Sequence, residues 1–304
     1  MRNTKSVLRA EGLPALSRSE TLAYLLGERS KSTNRTVSLR RSFVQILEQP
    51  GRGSSPKKPG PLHKLMRSPA ALELFLLVHA VAIKPPFDIT ERSETWARAA
   101  GLTFARGRSA SEAVSRQWAV LKKHNLVSVE RDGPFARIVK LLEDGSNTPY
   151  SRPRGRADVL SDIYFQVPFA YWYDGWHERL GMPAKAVLLI AMSNRAKEFP
   201  LPQGRRFQQW YGISPNSVTR GIDELVQHEV LTATMSDPFI TGETDTGRGV
   251  RLQYSLMPPF DLNLRTTPAP GLDTWEFPLI QESTPAASPS PTPSASATPG
   301  EEHA

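Results

Sequence analysis

Apolar residues return at helical spacing along much of the chain, and the intervals between them separate helices from strands. In SASEAVSRQWAVLKKHN, Val114, Trp118 and Leu121 recur at the i, i+4, i+7 spacing of one helix face, which predicts a helix lying on a core. Upstream, the run Ala70 to Ile83 is apolar except for Glu73 and His79 and predicts a helix near Ser68 to Ala82. After KPPFD, a second helix is expected with Thr90 as its N-cap, Glu91 in its first turn and Gly101 at its end. The polar loop TFARGRS joins it to the third. LVSVERDGPFARIVKLLED then alternates on either side of Asp132-Gly133, the pattern of a β-hairpin.

A second series repeats this order. Pro183 stands in the first turn of PAKAVLLIAMSNRAKEF, Pro202 opens QGRRFQQWYG, and Gly212 closes that short helix. Ser214 is the expected cap of a third helix with Pro215 at its first position, where a missing N–H costs nothing. Val218, Ile222 and Leu225 form its buried stripe. VLTATM and VRLQYSL then read as two strands around the polar loop SDPFITGETDTGRG.

The stretch WYGISPNSVTRGIDELVQHEVLTAT resembles the helix-turn-helix core of bacterial winged-helix regulators. Such a short turn fixes two helices at a steep angle, so that the first braces the second while the second offers its outer face to a major groove. With the aliphatic stripe turned inward, Asn216, Thr219 and Arg220 point outward near the helix start, beside Ser214 and Ser217. Asn can pair with adenine and Arg with guanine in bidentate fashion, and a helix N-terminus favours a phosphate. Glu229 stands where such regulators often carry Gly between helix and strand.

An offset of 104 residues places Val114 on Val218, Arg116 on Arg220, Trp118 on Ile222, Leu121 on Leu225 and His124 on His228, so the two series look like diverged copies. The outward set of the first copy is Glu112, Ser115, Arg116 and Lys123, after a turn about seven residues longer than in the second. The expected fold is therefore mainly α with small β-hairpins: two winged-helix domains in tandem, at 62–148 and 158–262. A basic linker at 149–157 joins them, behind a partly ordered basic N-terminal arm at 1–61. Within that arm SRSETLAYLLG and RRSFVQILEQ are helix-capable, and PGRGSSPKKPGP is turn-rich. Residues 263–304, rich in Pro, Ser, Thr and Ala, are expected to be disordered.

Charge sharpens the expectation of a polyanionic partner. The net charge is +8, but residues 1–60 hold 12 Lys/Arg against 4 Asp/Glu, whereas residues 266–304 hold 5 acidic residues and no basic ones. A basic body suits double-stranded DNA, where each neutralised phosphate releases counterions, although a high pI also describes proteins that need only solubility. Arg152-Pro-Arg154-Gly-Arg156 resembles the core of an AT-hook and also reads as a plain basic linker, and Ala157 replaces the proline that usually follows. Arg131, Arg137, Arg248 and Arg251 flank the two hairpin turns and are candidates for phosphate contacts. The aromatic segment DIYFQVPFAYWYDGWHERLGMP reads as interdomain core or a homodimer surface.

Little in the chain asks for an enzyme. With no Cys, thiolate chemistry and disulfides are excluded, and a reducing cytoplasm, close to the nucleoid, is the expected location. The six His are scattered, and His177-Glu178 lacks the second His of a zinc-protease helix. Gly242 to Gly247 has P-loop glycine spacing but continues Arg248-Gly249, and Gly51-Arg-Gly53 continues into Ser-Ser-Pro without a preceding strand. No cofactor, metal or small-molecule ligand is identifiable. The Ala70 to Ile83 run is 14 residues, short of the roughly 20 that cross a bilayer, so no membrane partner is expected. The resemblance implies sequence-specific DNA binding, as a transcriptional regulator, which would add a homodimer, or as a replication initiator of a plasmid or mobile element. A winged-helix adaptor that binds proteins is the reading from a different class.

Overall fold

Two stretches of alternating residues far apart in sequence, TVSLR and YFQVP, pair with each other, and this pairing sets the architecture. The computed structural model describes residues 14–47, 57–102, 109–132, 135–155, 159–194, 196–202, 204–236, 238–242 and 244–263. In the N-terminal part these form α1 (Arg18–Ala23), continued by a π-helical turn (Tyr24–Arg29), then β1 (Thr36–Arg40), β2 (Gln45–Leu47) and β3 (Lys57–Pro59). The first half continues with α2 (Pro69–Val81), β4 (Asp88–Glu91), α3 (Ser93–Ala99), α4 (Ala110–Lys123), β5 (Val127–Asp132) and β6 (Phe135–Lys140). The second half holds β7 (Tyr164–Pro168), α5 (Ala170–Tyr173), α6 (Trp176–Arg179), α7 (Met182–Met192), α8 (Gly204–Tyr211) and α9 (Pro215–Gln227). It ends with β8 (Leu231–Met235), β9 (Phe239–Ile240), β10 (Arg248–Gly249) and β11 (Leu252–Leu256).

The fold is mixed α/β, which corrects the expectation of a mainly α chain. Among the described residues 44% are helical and 21% lie in strands, spread over five small sheets. The missed strands are short and find their partners at long range. β1 runs antiparallel to β7, with Val37 opposite Val167 and Leu39 opposite Phe165, all four buried. Residues 41–47, expected to be helix-capable, instead form a 3₁₀ turn and β2, which pairs with β3. β4 occupies the place where a helix start was expected at Thr90, and α3 begins later, with Arg92 as its cap residue. The N-terminal stretch is thus built into the body, and buried side chains from both halves and from Leu22 to Val44 share one hydrophobic core. No helix among the described residues is long and apolar enough to cross a membrane.

Counted from α2 and from α7, the two halves share an order of three helices followed by an antiparallel strand pair, β5–β6 and β8–β11. β4 joins the β5–β6 hairpin through β6, and Phe199 makes the equivalent single bridge to Tyr254 of β11. The 104-residue offset holds at the helix ends as well. His124 and His228 are the C-cap residues of α4 and α9, followed by Asn125 and Glu229 at φ 55° and 56°. The amides of Leu126 and Val230 then close onto the carbonyls of Leu121 and Leu225 at 3.0 and 2.9 Å. This is the Schellman closure, and Glu229 performs it in the left-handed conformation that usually selects Gly or Asn.

α9 is seated on α7 by close backbone approach. A β-carbon at Gly221 would come within 2.6 Å of the Pro183 carbonyl oxygen and 2.9 Å of Val187 Cγ2. Gly221→Val is therefore expected to push the helices apart and destabilise the protein by about 1–3 kcal/mol, the usual cost of overpacking. Thermal melts of the variant check this, and an unchanged melting temperature would contradict the packing described.

Candidate nucleic-acid interface

α8 runs through the short turn Gly212-Ile213-Ser214 into α9. Gly212 has φ +68°, and the His63 ring lies where its β-carbon would be, 2.7 Å away, so the turn needs Gly both for its conformation and for its space. Ser214 caps α9: the Ser217 amide donates to its hydroxyl oxygen at 3.4 Å, and the two hydroxyls lie 2.9 Å apart. Val218, Gly221 and Leu225 are buried and Ile222 packs against the core, while Asn216, Thr219 and Arg220 are exposed. Asn216 and Arg220, one helical turn apart, present adjacent polar heads to solvent. The Thr219 hydroxyl is turned back onto the Pro215 carbonyl at 3.2 Å, so its methyl is the outward group on offer.

Positive charge gathers around the start of α9 from a segment that sequence reasoning did not single out. Lys64 and Arg67, both exposed, line a cleft together with Gly212, Ser214 and Ser217. They follow a 3₁₀ helix (Pro61–Leu65) whose His63 packs on the turn. The C-terminal end of α4 adjoins this cluster. The His124 imidazole is held below its ordinary range by partial burial and then by the charges of Lys64, Lys123 and His63. A pair of cations three residues apart was the only trace in the sequence, and nothing local ties it to Ser214. Arg205 and Arg206 on the first turn of α8 are also exposed.

The remaining candidates divide. On α4, Ser115, Arg116 and Lys123 are exposed, and Glu112 sits in the first turn, its amide donating to the Ser109 cap, where a carboxylate suits the helix dipole and not a phosphate. Arg137 is paired within its own sheet, with Asp88 and, at 2.9 Å, with Glu130, so it is not the uncommitted phosphate ligand expected. The side chain of Arg131 and all of Arg156 lie outside the described residues, as does the tail from 264 onward. Arg152 donates to the Ile83 carbonyl at 2.8 Å, and the Arg154 amide to Asp162 at 3.0 Å. With Pro153 buried, residues 152–154 are held to the body. Arg248 is exposed on β10, and the Arg251 guanidinium lies 4.3 Å from the centre of the Phe239 ring.

The aromatic segment packs inward: Phe165, Phe169, Tyr171 and Trp172 are buried, and only Tyr173 is largely exposed. Among the described residues no group of three His, Asp or Glu side chains is placed to hold a metal. Comparisons with protein-family models, with curated proteins and with solved structures find no match to this chain.

Proposed function

We propose that the chain binds double-stranded DNA and reads its sequence with α9, in the manner that the resemblance to bacterial winged helix-turn-helix regulators implies. The observation that carries this reading is the uncovered polar face at the start of α9, with Asn216 and Arg220 exposed beside Lys64 and Arg67. Asn216 and Arg220 are the side chains for base edges; Lys64, Arg67 and Lys123 take the flanking phosphates, which position the duplex without specifying it. Glu112 and Arg137 are left out of the contact set.

Selection of bound sequences from a random duplex pool is the direct test, because it returns a motif and a half-site spacing. Arg220→Ala and Asn216→Ala are each expected to weaken binding to that motif by about 1–3 kcal/mol and to relax preference at one position. Lys64→Ala and Arg67→Ala should instead weaken all duplexes alike and reduce the salt slope by about 1 each. A pool that returns no motif would leave the chain as an adaptor that binds proteins, and full affinity in Arg220→Ala would remove that side chain from the base contacts. Transcriptional regulation is the process we favour: inverted half-sites in the selected motif fit a dimeric regulator, whereas direct repeats favour a replication initiator.

A further inference from the structure

Away from α8 and α9, a cavity of about 390 Å³ opens between the N-terminal segment and the joint of the two halves. It is lined from β1, the end of α2, the end of β6, residues 150–153 and β7. Four cationic side chains reach it, Lys31, Lys84, Lys140 and Arg152, and among the described residues no Asp or Glu lines it. The nearby carboxylate Glu143 is committed to Arg40, at 2.9 Å.

One buried group at this cavity, the Lys140 ammonium, lacks an ion-pair partner among the described residues. Lys140 is only 3% exposed; its ammonium reaches the Ala82 carbonyl at 3.3 Å and lies over the Tyr150 ring at 3.6 Å, without a carboxylate at ion-pair distance. Burial, partly offset by the attraction of Glu143, pulls the Lys140 ammonium down to about 7. A buried ammonium with no carboxylate at ion-pair distance costs stability, and a bound anion beside it would offset that cost.

We propose that this cavity binds a small phosphorylated molecule, with its phosphate held by Lys140, Arg152 and Lys84. The volume exceeds that of a bare phosphate and suits a sugar phosphate or mononucleotide. A duplex phosphate is not the ligand, because a rigid duplex cannot follow the cavity to an ammonium as buried as that of Lys140. The site stands independently of the DNA reading.

The test is calorimetric titration of the full chain with ribose 5-phosphate, AMP and pyrophosphate in turn, with ribose and a short DNA duplex as comparisons. At least one phosphorylated probe is expected to saturate at one site per chain and to weaken at least tenfold in Arg152→Gln and in Lys84→Gln. Both are surface changes that should fold normally; Lys197→Gln, away from the cavity, should bind as the unaltered chain does. Absence of saturable binding by all three probes overturns the proposal. So does binding insensitive to both variants, equal binding by ribose, or displacement of the probe by the duplex at matched phosphate concentration.

Discussion

Lys185→Met is expected to destabilise the protein by about 3–5 kcal/mol, the usual result of stranding one partner of a buried ion pair. Lys185 on α7 donates from Nζ to Glu73 Oε1 of α2 at 2.7 Å and to the His177 carbonyl at 2.6 Å. The Tyr171 hydroxyl donates to the same Glu73 oxygen at 2.8 Å. Glu73 and Lys185 are 3% and 6% exposed, so water cannot replace a lost partner. The network joins the principal helices of the two halves inside the shared core. Because an apolar pair of similar size often does as well as a buried ion pair, Glu73→Leu combined with Lys185→Met should recover most of the loss. Urea denaturation of the single and double variants measures both effects. A loss below about 1 kcal/mol in Lys185→Met would place the pair among solvent-screened surface bridges and contradict its burial.

That network also shows why some of the fold is legible in the chain and some is not. α4 and α9 announce themselves locally, through Ser109 and Ser214 as caps, Pro215 in the first turn and apolar residues at helical spacing. α2 is buried on all sides, 11 of its 13 residues, so no face can be read from it, and Glu73 and His79 look like interruptions of an apolar run. Glu73 bonds Tyr171 and Lys185, 98 and 112 positions away, and the His79 ring meets that of Tyr150 from beyond β6. The same distance hides β1: its alternation is visible, but its partner β7 lies more than a hundred residues downstream, and no turn signal connects them. At Thr90 a cap-like Thr-Glu pair suggests a helix, and pairing of residues 88–91 with β6 prevails over that local preference. Within the candidate interface, Asn216 and Arg220 are readable from periodicity, whereas Lys64 and Arg67 reach Ser214 only because the His63 ring packs on Gly212.

Arg40→Met is expected to cost a similar amount, about 3–5 kcal/mol at neutral pH, through a different junction. The Arg40 guanidinium bonds Glu143 at 2.9 Å and the Ser151 carbonyl at 2.8 Å, and lies 3.6 Å from Asp162. One side chain thus ties β1 to the stretch after β6, to the joint between the halves and to the approach of β7. Glu143 is fully buried, and burial already holds its carboxyl above the ordinary range, a rise that the attraction of Arg40 opposes. Without Arg40 that carboxyl rises further. A carboxyl whose pKa is higher in the folded than in the unfolded chain contributes most below its unfolded pKa, and the contribution is lost as pH climbs through the folded one. The stability gap between Arg40→Met and the unaltered chain should therefore narrow on acidification toward the ordinary carboxylate range. Adding Glu143→Gln should remove the stranded charge, restoring stability at neutral pH and flattening the pH dependence of the gap. Melts of the three proteins between neutral and mildly acid pH decide it, and a gap that stays constant or widens in acid would show that Arg40 acts through packing alone.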